Sequence, residues 1–321
     1  MKIIELFGGI GAPRKALENI GYEVDSVDYV EINKPAVRSY NAIYGENYEP
    51  QDVISYKPPQ EHIDILIHGS PCQDFSIGKV LNGDESMDRS SLLSETVRAI
   101  GEMTDKPRIV LWENVKAVLN KRHKEHFDNY LYAMELLGYA NSYRVLNAKD
   151  YGIPQLRERV YVVSVLGEQE FDFDLVRKSE TRHVSEFLEK TSDKRYIVTQ
   201  PSMLKKLPGT TDSVTLKQIV DHVWTISLKQ VRAPNAGIIK LPGDKWRYLT
   251  ERECWRLMGF EDEDFEKALS VNPNRTPLNH PIYSQAGNSI VVPVLESIFK
   301  AMIKQGLLGT PSRTKSYLAT M

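Results

Sequence analysis

The sequence predicts an α/β protein with a doubly wound, Rossmann-like sheet and a second, smaller domain. Short apolar runs alternate with amphipathic helical segments through the first half of the 321-residue chain, a pattern typical of strand–helix–strand units around a buried sheet. After about Gly167 this alternation fades into polar sequence rich in Lys, Thr and Pro. Helical spacing returns strongly at Leu249, so we expect a second module there.

Each element of the first half follows from its local pattern. Apolar runs predict strands over Lys2 to Phe7, Glu23 to Tyr29, Ile63 to Gly69, Arg108 to Glu113, Tyr143 to Leu146 and Arg159 to Val165. Apolar residues at helical spacing predict helices over Arg14 to Ile20, Pro35 to Tyr44 and Phe127 to Leu137, the last ending at Gly138.

The C-terminal part is predicted to return to the large domain, because Val292 to Lys304 carries its apolar residues on one helical face. We therefore expect a large domain over residues 1–167 and a small domain over 168–283, with a variable core at about 168–246. The segment 284–321 is expected to rejoin the large domain.

The charge of the chain is nearly balanced but unevenly distributed. There are 41 Lys and Arg residues against 43 Asp and Glu residues, a net charge of -2. From Lys194 to Lys240, however, eight basic residues stand against two acidic ones. Such a patch is either a solvated surface or a phosphate-binding surface for nucleic acid.

The composition excludes several classes of protein. Two cysteines, Cys72 and Cys254, are too few for a disulfide framework or a Cys-rich zinc site, which indicates a reducing compartment. No stretch reaches the roughly 18 uncharged apolar residues of a membrane helix. His123 and His126 lie three residues apart without a third ligand, so no metal site is predicted. We expect a soluble, cytoplasmic protein.

A glycine-rich turn follows the first strand and predicts a nucleotide-like ligand. Phe7-Gly8-Gly9-Ile10-Gly11 leads from strand to helix, where the backbone must turn tightly and approach a ligand. Glu31 ends the second strand, 20 residues beyond Gly11, where a carboxylate commonly accepts hydrogen bonds from ribose. Arg14 replaces a glycine of the dinucleotide fingerprint, which favours adenosine over a pyrophosphate ligand. A plain strand–helix turn with a surface acid is the alternative.

Reactive side chains are predicted at one edge of the sheet. Cys72 follows the third strand, on a loop at the carboxyl edge where open α/β folds bind ligands. Glu113 ends the next strand, and Arg157 and Arg159 alternate at the start of the last one. Taken singly, the cysteine is more often a small buried hydrophobe, the glutamate a helix N-terminal acid and the arginines partners of acids.

These motifs, in this order, resemble the cytosine-5 DNA methyltransferase family of the bacterial and phage type. The matching segments are Phe7-Gly8-Gly9-Ile10-Gly11, Pro71-Cys72-Gln73, Glu113-Asn114-Val115, Gln155-Leu156-Arg157-Glu158-Arg159 and Gly287-Asn288-Ser289. The resemblance covers the chain except roughly residues 168–246, where the family is variable. It implies a catalytic domain that binds S-adenosylmethionine, a small target-recognition domain, and monomeric action on double-stranded DNA with or without a cognate restriction endonuclease.

The resemblance also implies the roles of the catalytic residues. Cys72 would add to carbon 6 of cytosine, because carbon 5 is a poor nucleophile until the ring becomes an enamine. A protonated Glu113 would serve nitrogen 3, Arg159 would contact oxygen 2, and Arg157 would steady the loop or the sulfur. Pro71 and Asn114 belong to the same catalytic motifs. Gln73 and Ser76 would close over the flipped base.

The cofactor residues are implied in the same way. Phe7 would stack on the adenine, Glu31 would hold the ribose, and Asp52 would contact the adenine amino edge. Asn288 and Ser289 would close the methionine end. The remaining positions expected at the cofactor are Gly9, Gly11, Ile32 and Leu92. Two departures stand out, since Ile32 occupies a position that is often aromatic in the family and Glu5 replaces its usual Asp or Ser.

Three other functions compete with this interpretation. The tRNA-methylating branch of the family usually shows Pro-Pro-Cys-Gln and Cys-Phe-Thr, whereas this chain has Ser70-Pro71-Cys72-Gln73 and Cys254-Trp255-Arg256. An NAD-binding oxidoreductase is disfavoured by Arg14 in the glycine turn. A non-catalytic DNA-binding relative is disfavoured by the intact set of Cys72, Glu113 and Arg159.

Overall fold

Six strands form one central sheet in the computed structural model, which describes residues 1–71, 92–191, 193–273 and 278–311. The strands are β1 (Lys2–Leu6), β2 (Asp25–Val30), β3 (Ile65–His68), β4 (Ile109–Val115), β5 (Tyr139–Asn147) and β7 (Glu158–Leu166). Their order across the sheet is β2-β1-β3-β4-β7-β5. Each matches a predicted strand, with ends displaced by a few residues.

The direction of β7 corrects the parallel sheet that the sequence predicts. β1, β2, β3 and β4 are mutually parallel, but β7 runs antiparallel to both β4 and β5. A parallel strand would begin at the opposite edge from the carboxyl end of β4. Because β7 is antiparallel, its first residues lie at that end, and Arg159 pairs with Val115.

Nine α-helices are present among the residues that the structure describes. They are α1 (Ala12–Asn19), α2 (Lys34–Tyr44), α3 (Leu92–Glu102), α4 (Lys124–Leu136), α5 (Pro201–Leu204), α6 (Glu251–Arg256), α7 (Asp262–Val271), α8 (His280–Asn288) and α9 (Val292–Lys304). Asn33 caps α2 by accepting the Ala36 N–H at 3.1 Å, and Gly45 ends this helix with a φ of 74°. α3 was not among the helices predicted from sequence.

Short strands connect the central sheet to the variable part of the chain. β6 (Gln155–Leu156) pairs in parallel with β8 (Val223–Trp224), and β9 (Ile238–Leu241) forms an antiparallel hairpin with β10 (Lys245–Tyr248). Buried Gln155 strengthens this connection, because its side chain donates to the Leu257 carbonyl and accepts from the Ile226 N–H. The chain beyond Gly167 is thereby anchored to the start of β7.

The C-terminal helices pack back on the first helices of the chain. α6 begins with a capping box, in which Thr250 and Glu253 exchange hydrogen bonds. α7 packs on α2, and α9 packs on α1. Lys15 on α1 pairs with Asp264 on α7 at 2.8 Å. These contacts fix the C-terminal helices against the first two helices of the chain.

One stretch, His280–Lys304, is long and apolar enough to cross a membrane by length and composition alone. It consists of α8 and α9 with a break at residues 289–291. Ile298, Phe299 and Met302 on α9 are fully buried in the hydrophobic core. The stretch therefore has the character of core helices inside a folded protein.

Candidate active site

The turn after β1, residues 7–11 and here called the glycine loop, has a left-handed backbone at three positions. The φ angles are 56° at Phe7, 55° at Gly9 and 75° at Gly11. A Cβ on Gly8 would lie 2.6 Å from the ring of Tyr29, and one on Gly11 would lie 2.5 Å from the ring of Tyr44. Side chains are thus excluded behind the loop by packing as well as by backbone conformation.

Glu31 is fastened to this loop. Its carboxylate accepts hydrogen bonds from the backbone N–H of Gly9 at 3.1 Å and of Asn33 at 2.8 Å. Burial raises the pKa of Glu31, and the backbone hydrogen bonds oppose that shift. Each carboxylate oxygen retains a further lone pair for a ligand hydroxyl.

The other side chains expected at the cofactor, Ile32, Asp52 and Leu92, lie in different environments. Ile32 is 65% exposed, which is unusual for an isoleucine and leaves an apolar surface for a ligand. Asp52 caps a short helical turn by accepting the Ile54 N–H at 3.0 Å, and the neighbouring Gln51 N–H donates to the Glu31 carbonyl. Leu92, at the start of α3, is partly buried against the core beneath the sheet.

A cleft joins the glycine loop to the carboxyl ends of β3 and β4. Of the predicted site residues, Phe7, Gly9, Glu113, Asn288 and Ser289 line it together. Backbone at Gly9 and Gly69 also lines the cleft, and a Cβ at either position would meet nothing within 4 Å. This open cradle, with the Glu31 carboxylate beside it, fits an adenosine-bearing cofactor such as S-adenosylmethionine.

Glu113 lines the cleft, and Arg159 lies beside Glu113. The side chains are 12% and 14% exposed, and Arg159 Nε lies 3.2 Å from Glu113 Oε1. This contact lacks hydrogen-bond geometry, and among the residues that the structure describes the buried Oε1 has no hydrogen-bond partner. Burial raises the pKa of Glu113, against the charges of Arg159 and Arg157. A carboxyl of this kind is suited to donate a proton.

Arg157 lies between β6 and β7, and its hydrogen bonds connect two segments of backbone that are distant in sequence. Its guanidinium donates to the carbonyls of Gly287 at 3.0 Å and Ser289 at 2.9 Å, and to that of Ile226 at 3.2 Å. Burial lowers its pKa to about 10. Arg157 and Arg159 both act on Glu113 electrostatically, but only Arg159 contacts it.

The chain leaving β3 is held at Ser70, two residues before the predicted nucleophile. The Ser70 carbonyl accepts hydrogen bonds from Asn114 Nδ2 and Trp112 Nε1, both at 3.0 Å. Asn114 therefore has a positioning contact, and Pro71 follows directly in the exposed chain. Cys72, Gln73 and Ser76 lie outside the residues that the structure describes.

Two polar residues of the cleft were missed as site residues by sequence reasoning. Buried His68 contacts Ser70 Oγ at 2.8 Å and the Tyr130 hydroxyl at 3.0 Å, and burial lowers its pKa to about 3. Buried Glu5 accepts from the Tyr40 hydroxyl at 2.7 Å, and burial raises its pKa to about 7. Both are polar or ionisable residues inside apolar strands, and this feature of the sequence could have identified them as site residues.

The second cysteine, Cys254, lies in the hydrophobic core. Cys254 on α6 is fully buried, and burial raises the pKa of its thiol well above the ordinary value. Such a thiol is a small hydrophobe without nucleophilic character. In the described part of the chain, no three His, Cys, Asp or Glu side chains are grouped to hold a metal ion.

Residues 1–304 match the family model described as C-5 cytosine-specific DNA methylase. The type II methyltransferase M2.ScrFI of Lactococcus lactis subsp. cremoris is 38% identical over 264 residues, covering 79% of this chain and 70% of the relative. The orphan methyltransferase M.SPRI of Bacillus phage SPR is 25% identical and covers 94% of this chain and 97% of its own.

Solved structures share the fold across nearly the whole chain. The crystal structure of the S. pombe Dnmt2 methyltransferase superposes with a TM-score of 0.74 at 20% identity, covering 95% of this chain and 99% of that one. At this level of identity the likeness concerns the fold alone. It confirms the Rossmann-like α/β class that the alternation of strands and helices predicts.

Proposed function

The chain belongs to the C-5 cytosine-specific DNA methylase family and is a DNA cytosine-5 methyltransferase, and from this premise we propose that Cys72, Glu113 and Arg159 carry out the reaction. The observation that carries the proposal is the buried Glu113 carboxyl, whose Oε1 has no hydrogen-bond partner in the described chain although Arg159 lies 3.2 Å away. When this oxygen is protonated, it can donate a hydrogen bond to an acceptor atom of the substrate.

The covalent step overcomes the low nucleophilicity of carbon 5. The Cys72 thiolate adds to carbon 6, a sulfur–carbon bond forms, and the electrons of the ring shift toward nitrogen 3 and oxygen 2. Protonated Glu113 donates to nitrogen 3 as that charge develops. The raised pKa of Glu113, caused by its burial, favours the protonated form required for this role.

Arg159 stabilises the charge that reaches oxygen 2. Its Nη1 donates to the Glu158 carbonyl at 2.8 Å, which fixes the guanidinium beside Glu113. A preorganised cation at this place lowers the barrier without reorganising during the reaction. Arg157, which clamps three backbone carbonyls, positions the cleft walls.

S-adenosylmethionine, when bound, supplies the methyl group to carbon 5 and leaves as S-adenosylhomocysteine. A base then removes the carbon 5 proton, the sulfur–carbon 6 bond breaks, and the Cys72 thiolate is released. We propose that the glycine loop cradles it, with Phe7 at the adenine, Glu31 on the ribose hydroxyls, and Asn288 and Ser289 at the methionine end. Support comes from the open backbone at Gly9 and from the shared cleft that these residues line with Glu113. Asp52, Ile32, Leu92 and Gly11 complete the proposed cofactor environment.

The target base must leave the duplex to reach this cleft, at a cost of a few kcal/mol that pocket contacts offset. Gln73 and Ser76 are proposed to act in the loop beside the flipped base. We further propose that residues 168–283 form the target-recognition domain of a monomeric, cytoplasmic enzyme. In support, the backbone at Ser227 packs directly against Gly287, next to the proposed cofactor residue Asn288.

The basic patch between Lys194 and Lys240 divides into paired and unpaired cations. Arg195, Lys206 and Lys240 pair with nearby acids. Exposed Lys229 and Arg232, which follow the Ser227 contact, have no acidic partner within the described residues. We propose that these two cations bind DNA phosphates.

The two cysteines provide a matched test of the mechanism. Cys72→Ala should abolish methyl transfer from labelled S-adenosylmethionine to duplex DNA and largely spare DNA binding. Cys254→Ala should remain active, although its core cavity lowers stability. Bisulfite sequencing of DNA from cells that express the protein identifies the recognised site. A cognate restriction endonuclease would cleave at the same site, which allows a search for it. Methyl transfer by Cys72→Ala would contradict the covalent mechanism.

The DNA surface has a separate test. Replacing Lys229 and Arg232 together by Gln should weaken DNA binding and reduce the slope of log K against log salt by about 2. The control is the double change Lys178→Gln and Arg182→Gln, which removes the same charge from cations paired with Asp150 and Glu186. Equal losses in both double variants would assign the effect to net charge alone.

A further inference from the structure

We propose that the hydroxyl groups of Tyr29 and Tyr44 are positioning groups that hold the glycine loop in its cofactor-binding shape. Tyr29 lies near the end of β2 and Tyr44 ends α2, so both reach the loop from behind the cleft. The inference rests on the proposed binding of S-adenosylmethionine by this loop. It assigns a function to side chains that do not line the cleft themselves.

The loop requires external support because its own conformation is unfavourable. Phe7 has a φ of 56°, a left-handed value at which its Cβ crowds the following carbonyl. Gly9 and Gly11 have positive φ as well, and glycine is the residue most free to leave such a conformation. Within the loop itself, Gly11 N–H donates to the Gly8 carbonyl at 2.9 Å.

Each tyrosine hydroxyl secures one glycine carbonyl. Tyr29 donates to the Gly9 carbonyl at 2.6 Å, and Tyr44 donates to the Gly11 carbonyl at the same distance. The Gly9 N–H is already bonded to Glu31. Both sides of Gly9 are therefore fixed, and Gly9 is the position where the backbone faces open space in the cleft.

A packed cluster holds the two rings in place. Tyr40 stacks on Tyr29 with ring centroids 3.9 Å apart and meets Tyr44 at 4.7 Å. The Arg14 guanidinium lies 4.5 Å from the centre of the Tyr44 ring. Burial raises the pKa of the Tyr29 and Tyr44 hydroxyls, which keeps them protonated as donors.

Tyrosine-to-phenylalanine changes separate the hydroxyl from the packing of the ring. Tyr29→Phe and Tyr44→Phe should each raise the dissociation constant for S-adenosylmethionine about 3- to 10-fold, the loss expected for one hydrogen bond. The KM for S-adenosylmethionine should rise in parallel, while kcat at saturating cofactor and the Tm remain close to wild type. A purely structural role would instead lower the Tm and leave KM unchanged.

The matched control is Tyr48→Phe. Tyr48 belongs to the same cluster, 5.3 Å from Tyr29, but its hydroxyl donates to the Ser26 carbonyl and does not contact the loop. Its cofactor affinity should equal that of wild type. Equal weakening by Tyr48→Phe would overturn the inference, because it would reflect general softening of the cluster.

Calorimetry with S-adenosylmethionine distinguishes the two levels of proposal. Wild-type protein that does not bind S-adenosylmethionine would refute the proposed cofactor site. Wild-type binding together with unchanged affinity in both Tyr29→Phe and Tyr44→Phe would refute only the positioning role. If one variant does not fold, the other decides alone, since each hydroxyl has its own carbonyl partner.

Discussion

Two buried glutamates line the same cleft, and they differ in whether their oxygens are satisfied. Glu5, near the end of β1, accepts hydrogen bonds from the Tyr40 hydroxyl at 2.7 Å and the Arg14 N–H at 3.4 Å. Glu113, on β4, has an Oε1 without a hydrogen-bond partner in the part of the chain that the structure describes. Burial raises the pKa of both carboxyls.

The difference separates a structural carboxyl from one available to a substrate. Gly11 provides no side-chain cap for α1, and Glu5 supplies the missing acceptor to Arg14 N–H from β1. Glu113 is instead left with an unmet hydrogen bond, which costs stability in the free protein. Burial alone therefore does not distinguish the two carboxyls of this cleft, whereas the unsatisfied oxygen distinguishes Glu113, the proposed catalytic acid, from Glu5.

The largest expected effect is on Glu113. Glu113→Gln should lower the rate of methyl transfer by about 10² to 10⁴, because Gln cannot donate the proton that a protonated carboxyl gives to nitrogen 3. Stability at neutral pH should be unchanged or higher, since the buried ionisable group is removed. Single-turnover methyl transfer and thermal unfolding measure the two quantities.

The control for this prediction is Glu102→Gln, which removes an exposed carboxylate that pairs with Arg98 on the surface of α3. It should retain activity and stability within a small margin. Near-normal methyl transfer by Glu113→Gln would remove Glu113 from the mechanism and leave the comparison of the two glutamates without a functional meaning.

Arg159→Gln should have the next largest effect, a loss of about 10² to 10³ in kcat. It should also change the pH profile. The Arg159 charge opposes the burial that raises the pKa of Glu113, so its removal raises that pKa further. The limb of kcat/KM that requires protonated Glu113 should therefore move to higher pH.

The matched control is Arg144→Gln, an exposed arginine on β5 that pairs with exposed Asp174. It should leave both the rate and the limb in place. A limb that moves to lower pH in Arg159→Gln would contradict the assigned electrostatic contact between Arg159 and Glu113.

Glu5 should affect stability in a pH-dependent manner. Its folded pKa is about 7, above the ordinary 4.5, so the folded state holds the proton more tightly. The stability associated with this proton is complete below about pH 4.5 and is lost as pH rises through about 7. Relative to Glu5→Gln, wild type should lose about 3 kcal/mol over that window. Unfolding curves at several pH values measure the difference, and parallel pH profiles for the two proteins would contradict it.

The sequence predicted which residues lie together at the cleft better than it predicted the strand directions that bring them together. Phe7 and Gly9 follow β1, Glu113 lies near the end of β4, and these strand ends share one edge of the sheet. Short apolar runs locate such ends well. Arg159 was also placed at this edge, but on the assumption of a parallel sheet. Strand direction depends on contacts between distant segments, here the pairing of β7 with β4 and β5.

Hydrogen-bond partners across the fold were beyond the reach of local patterns. No spacing connects Tyr29 or Tyr44 with the carbonyls of the glycine loop, because these contacts span 20 and 33 residues. The contacts of Arg157 with Gly287 and Ser289 span 130 and 132 residues. The motif indicated a functional role for Arg157, and the structure shows that its guanidinium joins the backbone at Ile226 to the backbone at Gly287 and Ser289.

A substitution at Gly287 tests the contact between α8 and the backbone of Ser227 and Leu228. A Cβ at this position would lie 2.7 to 2.9 Å from the backbone of Ser227 and Leu228, which has no flexible end to yield. Gly287→Ala should cost about 2 kcal/mol of stability, as overpacking typically does. It should also displace Asn288 and so raise the KM for S-adenosylmethionine.

Gly101 on α3 is the matched helical glycine, because its Cβ would meet only Leu137 at 3.6 Å, an ordinary contact. Gly101→Ala should stabilise the protein by about 0.4 to 1 kcal/mol through the unfolded chain. If Gly287→Ala gave the same gain and an unchanged KM, then Ser227 and Gly287 would not be in contact in solution. The chain that follows Ser227 would in that case be free of the wall that carries Asn288.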